Sequence, residues 1–256
     1  MRSRVLAILA VGCLLSATAS ADTPAQDFTP CPASRAPSLV LPHVAEAVAT
    51  NTEVTIVAFG SSSTQGWHAS DIAHSYPRIL QSALDAALPE AHVAVLNRGI
   101  GGQDATEMMS RLETDVLAIR PTAVIWQVGA NAAMKHLHPE TFRQLVAAGV
   151  KRLREANIDV VLMDNQRAPA ILASPQHVLF DEALADVALG AGAGLFSRGA
   201  LMEEWRDGGY PYERFIADDG VHHNDYGYRC IAQALASSIM EGLGKKIPDR
   251  AFSARR

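Results

Sequence analysis

The chain has 256 residues, 48% of them hydrophobic and 19% charged, which is ample material for the core of a globular domain and excludes a disordered or fibrous chain. Its formal net charge is -5, from 22 Lys and Arg against 27 Asp and Glu, and no basic run exceeds the terminal Ala-Arg-Arg. Nucleic acid is therefore not expected as a partner.

Residues 1–21, MRSRVLAILAVGCLLSATASA, place Arg2 and Arg4 before an apolar segment from Val5 to Leu15 and end on Ala19-Ser20-Ala21. This is the layout of a secretory signal peptide cleaved after Ala21, so an exported protein, periplasmic or extracellular, is expected. Lipid anchoring at Cys13 is the competing reading, but Ala10 stands where such signals prefer Leu and the apolar run continues past Cys13. No later stretch has the roughly 20 apolar residues a transmembrane helix needs, so no membrane span is expected. Loss of the signal leaves Cys31 and Cys230. Two cysteines in an oxidising compartment suggest one disulfide between the N-terminal extension and the C-terminal helix, worth about 3 to 5 kcal/mol in denatured-state entropy; two separate buried thiols are the alternative.

Residues 22–50 begin DTPAQDFTPCPASRAPS, rich in Pro, Ser and Ala without periodicity, and read as an irregular extension. Beyond them, strands are expected at Val54–Gly60, His92–Gly99, Ala123–Gly129 and Asp159–Asp164. Between these lie YPRILQSALDAAL, ATEMMSRLETDVLAI and HPETFRQLVAAGVKRLREAN, each with apolar residues at helical spacing. A fifth strand is expected in Gly194–Gly199 after the flexible LGAGAG, then a helix and long loop over Ala200–Ile216, and a final helix over Asn224–Leu243. Strands apolar on both faces, each followed by an amphipathic helix, imply a parallel sheet covered on both sides. The fold class is α/β: one three-layer α/β/α domain over residues 51–244, with residues 245–256 as a tail.

In open parallel sheets ligands bind beyond the carboxyl ends of the strands. That rule selects Gly60-Ser61-Ser62-Ser63, Asn97-Arg98-Gly99-Ile100-Gly101-Gly102, Gly129-Ala130-Asn131 and Asn165-Gln166-Arg167. Near the C-terminus DDGVHHNDYGY, Asp218 to Tyr228, holds a carboxylate and an imidazole three residues apart before a helix. These are the parts of a hydrolytic site.

The motifs FGSSSTQG, NRGIGG, VGANA and DGVHHNDYGY resemble, in order and rough spacing, the first, second, third and fifth blocks of the SGNH (GDSL) hydrolases. The resemblance covers the chain from about Val54 to Met240 and implies a flavodoxin-like parallel sheet of about five strands with Ser-His-Asp chemistry. It lacks the G-x-S-x-G turn of the α/β-hydrolases. Laying the family's Gly-Asp-Ser on Gly60-Ser61-Ser62 implies Ser62 as nucleophile, with Ser61 in place of the usual Asp. Gly102 then falls on the oxyanion Gly, Asn131 on the oxyanion Asn, and Ala132 where Asp is usual.

The chemistry assigned to each is physically coherent. His222 would take the Ser62 proton as it attacks, and Asp219 would fix the imidazole tautomer and stabilise imidazolium. The backbone N–H groups of Ser62 and Gly102 and the Asn131 amide would meet the oxyanion. Ser61 and Ser63 read as turn and capping residues, His223 as a surface or pocket-lip residue, and Asp218 as a less well spaced rival to Asp219. Asp71-Ile72-Ala73-His74 repeats the Asp-x-x-His spacing but reads as a solvated helix start. Lys135-His136-Leu137-His138 is a weak metal pattern, and neither a metal nor another cofactor is expected. Trp67 and Gln166 are the substrate-contact candidates, with His68 and Arg167 beside them.

The expected protein is an exported serine esterase releasing small, acetyl-type acyl groups, from a carbohydrate or another small-molecule ester. Acyl transfer to a glycan hydroxyl, lysophospholipid or thioester hydrolysis, and a binding module without turnover are the alternatives.

Overall fold

Five short apolar runs become five parallel strands in the computed structural model, which describes residues 29–35, 37–248 and 252. The expected signal peptide and Cys13 lie outside the described residues. The strands are β1 (Val54–Gly60), β2 (Val93–Gly99), β3 (Ala123–Gln127), β4 (Asp159–Met163) and β5 (Gly194–Phe196), in sheet order β2-β1-β3-β4-β5. That is the flavodoxin-like order, and it reverses direction between β1 and β3, where the carboxyl edge opens a crevice. The register pairs Val54 with Val93 through Gly60 with Gly99, so the ends of β1 and β2 finish level.

Alternation along each strand feeds two cores. Val54, Ile56 and Ala58 face one, with α1 (Pro42–Ala49), α3 (Tyr76–Ala87), α10 (Arg198–Asp207) and α11 (Asp225–Gly242). Val57 and Phe59 face the other, with α4 (Ala105–Ser110), α7 (Pro139–Glu155) and α9 (His177–Ala191). The remaining helices are single turns at the carboxyl edge or in connections: α2 (Ser62–Gln65), α5 (Leu112–Asp115), α6 (Ala130–Met134) and α8 (Pro169–Leu172). Among the described residues no helix is long and apolar enough to cross a membrane.

Three expectations need correction. Residues 22–50 are not irregular throughout: α1 lies within them, with Leu39, Leu41, Val44 and Ala47 in the core. Asp159, buried at the start of β4, accepts from the Val44 N–H at 3.0 Å and bonds His43 Nδ1 at 2.8 Å. The two-residue apolar stripe of α1 is too brief to stand out behind a Pro-rich leader. The segment ATEMMSRLETDVLAI is not one helix but α4, α5 and a 3-10 turn at Leu117–Ile119. The break falls at Arg111, whose φ of -112° leaves helical geometry while its guanidinium turns inward. The start of the flexible LGAGAG, Leu189 to Ala191, is the last turn of α9, a helix without a clear sequence signature because exposed Val178, Leu179 and Leu189 blur the stripe formed by buried Phe180, Ala183, Leu184 and Val187.

Cys31 and Cys230, 199 positions apart in sequence, are joined, with Cα atoms 5.3 Å apart. The bond fastens the segment ahead of α1 to α11, alongside Tyr226 Oη donating to the Pro30 carbonyl at 3.0 Å.

Candidate active site

The site is built on two glycines. A Cβ on Gly99 would lie 2.2 Å from the Gln65 nitrogen, and one on Gly60 2.2 Å from Thr64 Oγ1. Their absence lets α2 settle directly on the level ends of β1 and β2. Gln127, buried at the end of β3, anchors this turn: its Oε1 accepts from the Ser61 N–H at 3.0 Å, Ser61 Oγ at 3.1 Å and Thr64 Oγ1 at 3.0 Å. Ser63 is buried too, its Oγ accepting from Gln166 Nε2 at 3.3 Å. Of the three consecutive serines only Ser62 is partly exposed at the carboxyl edge.

The partners of Ser62 arrive 160 residues later, on the loop between α10 and α11. His222 Nε2 lies 2.7 Å from Ser62 Oγ, and His222 Nδ1 lies 2.5 Å from Asp219 Oδ2. Asp219 Oδ1 accepts from the backbone N–H groups of Val221 and His222, each at 3.0 Å. Burial raises the Asp219 carboxyl, but the His222 ring and these two amides outweigh it and hold the group down at about 2. The loop is braced from below. Gln166 Nε2 donates to the Val221 carbonyl at 2.9 Å, the Ala170 N–H to Gly220 at 3.1 Å, and the Ala217 N–H to His222 at 2.8 Å.

Gly102 takes φ +77°, a left-handed conformation that favours glycine, and a Cβ there would meet no protein atom within 4 Å. The backbone of this chain thus favours the residue type, while the space beside it is open. Asn131, in the first turn of α6, donates from Nδ2 to the Gln103 carbonyl at 2.9 Å. That bond uses one amide hydrogen and ties Asn131 to the Gly102 loop. Arg111 supports the same loop: it donates to Gln103 Oε1 at 2.5 Å, the Arg98 carbonyl at 2.9 Å and the Gly60 carbonyl at 2.9 Å, its guanidinium 4.3 Å from the Phe59 ring centroid.

Trp67 is 53% exposed, with its ring centroid 5.9 Å from that of His222. Its indole N–H donates to Gln65 Oε1 at 3.1 Å, which also accepts from the Gly101 N–H at 2.8 Å, so the ring is held while its face stays open. Gln166 is fully buried and braces Ser63 and Val221 from behind, so it offers no accessible surface to a substrate. Arg167, also buried, pairs with Asp181 at 2.7 Å and Glu203 at 2.6 Å. His223 is not a lip residue: it is buried, bonded to the Phe215 carbonyl at 3.1 Å, and burial, with Arg198 nearby, pushes its ring down to about 3.

The Asp71-x-x-His74 pair is the exposed cap of a 3-10 turn, as the sequence suggests. Asp218 is exposed and does not bond His222. His138 caps α7 with its ring, accepting from the Glu140 N–H. The residue that sequence reasoning underrated is His68, whose Nε2 lies 3.2 Å from Asp219 Oδ2 and whose Nδ1 lies 3.6 Å from Asp218 Oδ1. Its φ of +61° turns the ring toward His222, and no sequence pattern announces a left-handed histidine.

Solved structures share this architecture. An acetylxylan esterase, Axe2, from Geobacillus stearothermophilus superposes with a TM-score of 0.62 at 19% identity, over 77% of this chain and 97% of that one. A two-domain esterase active on acetylated mannans gives 0.68 at 21% identity, over 83% of this chain and 56% of that one. At such identities the likeness is one of fold. The uncharacterized lipoprotein YqeF of Bacillus subtilis (strain 168) is 30% identical over 135 residues, 49% of this chain and 53% of that protein, so the match spans about half the length of the curated relative. The model of one family, described as non-GDSL lipase-like, matches residues 29–245, from the segment bearing Cys31 through the end of α11. With that match over most of its length and its five-stranded SGNH-like fold, the chain belongs to the non-GDSL lipase-like family.

Proposed function

We propose that the protein is an exported serine ester hydrolase acting on small, acetyl-type esters of carbohydrates. The observation that carries the reading is the unbroken line from Ser62 Oγ through His222 to Asp219, at 2.7 and 2.5 Å, on the carboxyl edge of the sheet.

In that reading Ser62 Oγ attacks the ester carbonyl while His222 Nε2 takes its proton. The ionised Asp219 accepts from Nδ1–H, which leaves the Nε2 lone pair pointing at the serine and stabilises the imidazolium that forms. The N–H groups of Ser62 and Gly102 and the second amide hydrogen of Asn131 receive the developing oxyanion, each donor worth about 3 to 4 kcal/mol of barrier by comparison with a single-donor deletion in another serine hydrolase. Protonated His222 then gives its proton to the leaving alkoxide. Water deacylates Ser62 by the same steps in reverse roles.

Two observations support the substrate class. The esterases named above that share the fold act on acetylated xylan or mannan. Trp67 offers an open, immobilised aromatic face beside His222, the kind of surface on which the apolar face of a sugar ring stacks. Export is supported by the N-terminal layout and by the lipoprotein relative. Intact mass of the protein from its native host separates cleavage after Ala21 from acylation at Cys13. The activity test is acetate release from acetylated xylo- and manno-oligosaccharides, beside Ser62→Ala and Trp67→Ala. Loss of turnover in the first and a raised KM with retained kcat in the second are expected; acetate release by Ser62→Ala contradicts the assignment.

A further inference from the structure

We propose that a divalent transition-metal ion of the Zn2+ kind binds across His68, Asp219 and His222 and disables the triad. Neither the family match nor the proposed mechanism gives His68 a role, yet its ring is held against the catalytic carboxylate.

The donor geometry suits a single ion. One ligand atom from each of His68, Asp219 and His222 lies within 4.8 Å of the others. A tetrahedral ion with bonds of about 2.0 to 2.2 Å sets its ligand atoms about 3.3 Å apart. His68 Nε2 and Asp219 Oδ2 are already 3.2 Å apart, while His222 Nδ1, at 2.5 Å from the same oxygen, has to withdraw by less than about 1 Å. The two imidazoles lie nearly parallel, 12° between their planes with centroids 5.5 Å apart, so bringing their lone pairs onto one ion takes a rotation of the His68 ring as well as the withdrawal of His222.

Two carboxylates flank His68: Asp219 Oδ2 lies 3.2 Å from Nε2 and Asp218 Oδ1 3.6 Å from Nδ1, so an ion that takes the Nε2 lone pair leaves the ring proton on Nδ1, facing Asp218. Outer carboxylates commonly orient metal-binding histidines in this way. The His68 and Asp219 side chains are 36% and 24% exposed, which gives an ion a path from solvent and leaves room for water as the fourth ligand. Two imidazoles and one carboxylate are donors that suit Zn2+.

The consequence for catalysis follows from the tautomer. A metal on His222 Nδ1 needs that nitrogen's lone pair, so the ring proton moves through solvent from Nδ1 to Nε2, with no net loss from His222. Nε2–H then faces Ser62 Oγ as a donor, and no lone pair remains to take the serine proton. The ion also occupies the Asp219 oxygen that held the imidazole. The inhibitory consequence rests on the ester-hydrolase reading; the binding site does not.

The test uses tag-free protein. Calorimetric titration of Ser62→Ala with ZnCl2 in a non-coordinating buffer is expected to give one equivalent bound, weakened at least about tenfold by an added His68→Gln, the scale seen when a metal site loses support. An added His136→Gln with His138→Gln should leave the affinity unchanged. In wild type, Zn2+ should abolish ester turnover, reversibly with EDTA, and His68→Gln, normalised to its own metal-free rate, should need at least about tenfold more metal. No binding by Ser62→Ala, equal affinity after His68→Gln, or loss of binding only with His136 and His138 each overturns the proposal. Metal binding that depends on His68 in a protein without turnover on any ester upholds the site and instead removes the hydrolase reading.

Discussion

Replacement of Asp219 by Asn tests the catalytic account at its most constrained point. Asp219 Oδ1 accepts two backbone amides and Oδ2 faces His222 Nδ1. An asparagine has one oxygen to divide between these duties. If the oxygen keeps the Val221 and His222 amides, its NH2 points at Nδ1, which must then accept, and the ring proton moves to Nε2, where no base remains. If the amide is reversed, two backbone donors face an NH2 group, at about 1 to 3 kcal/mol for each unsatisfied donor, and the loop opens. The wrong tautomer in another serine hydrolase lowers kcat about 10,000-fold, equivalent to about 5 kcal/mol. We expect a loss of that order in kcat for an acetyl ester, with KM changed little, since Asp219 makes no bond to the substrate in the proposed mechanism. Stopped or burst assays beside a circular-dichroism melt separate chemistry from unfolding. A folded Asp219→Asn within tenfold of wild type refutes the reasoning.

Gly99→Ala drives a Cβ to 2.2 Å from the Gln65 backbone, so the Ser62 turn has to move; a loss of about 3 kcal/mol in unfolding free energy and about 100-fold in kcat is expected, and unchanged kinetics contradict the role given to that glycine. Ellman titration of denatured, unreduced protein should find no thiol from Cys31 or Cys230. Cys31→Ala with Cys230→Ala should lower stability by about 5 kcal/mol at most, from loop closure over 199 residues, and two free thiols in the parent chain remove the claim. His223 is held down at about 3 in the folded chain, against 6.5 as its ordinary value, by burial above all. Between these values the unfolded chain carries the extra proton, so stability falls as pH drops from about 6.5 toward 3, by about 1.4 kcal/mol per unit at most. Denaturant unfolding at pH 6.5 and 5 should show a drop smaller by about 1.6 kcal/mol in His223→Gln; an identical drop in both proteins excludes His223 as its source.

Much of the site is legible in the sequence because its parts are short and local. Gly60-Ser61-Ser62, the Gly101-Gly102 turn, Asn131 and Asp219-x-x-His222 each follow an apolar run or precede a helix, and parallel topology gathers strand ends at one edge. What supports them is invisible for a physical reason: it depends on side-chain direction. Arg111 looks like a solvated helix residue, yet it turns inward to the carbonyls of Gly60 and Arg98. Gln127 reads as the polar end of a strand, yet it organises the Ser62 turn through three hydrogen bonds. Gln166 looks like a pocket residue because it follows β4, but the strand delivers it beneath the histidine loop. The helix α1 was hidden by its short stripe and is identified by its partner, the buried Asp159.

The central claim is that Ser62 is the nucleophile of an ester hydrolase. Its most direct test is reaction of purified mature protein with a serine-directed phosphonate, read by intact mass and peptide mapping, with p-nitrophenyl acetate turnover followed in the same samples. The account predicts one adduct per chain, on Ser62, with turnover falling in step with labelling and both absent in Ser62→Ala. A wild type that turns over acetate while the label lands on another serine, or a Ser62→Ala that remains active, contradicts it.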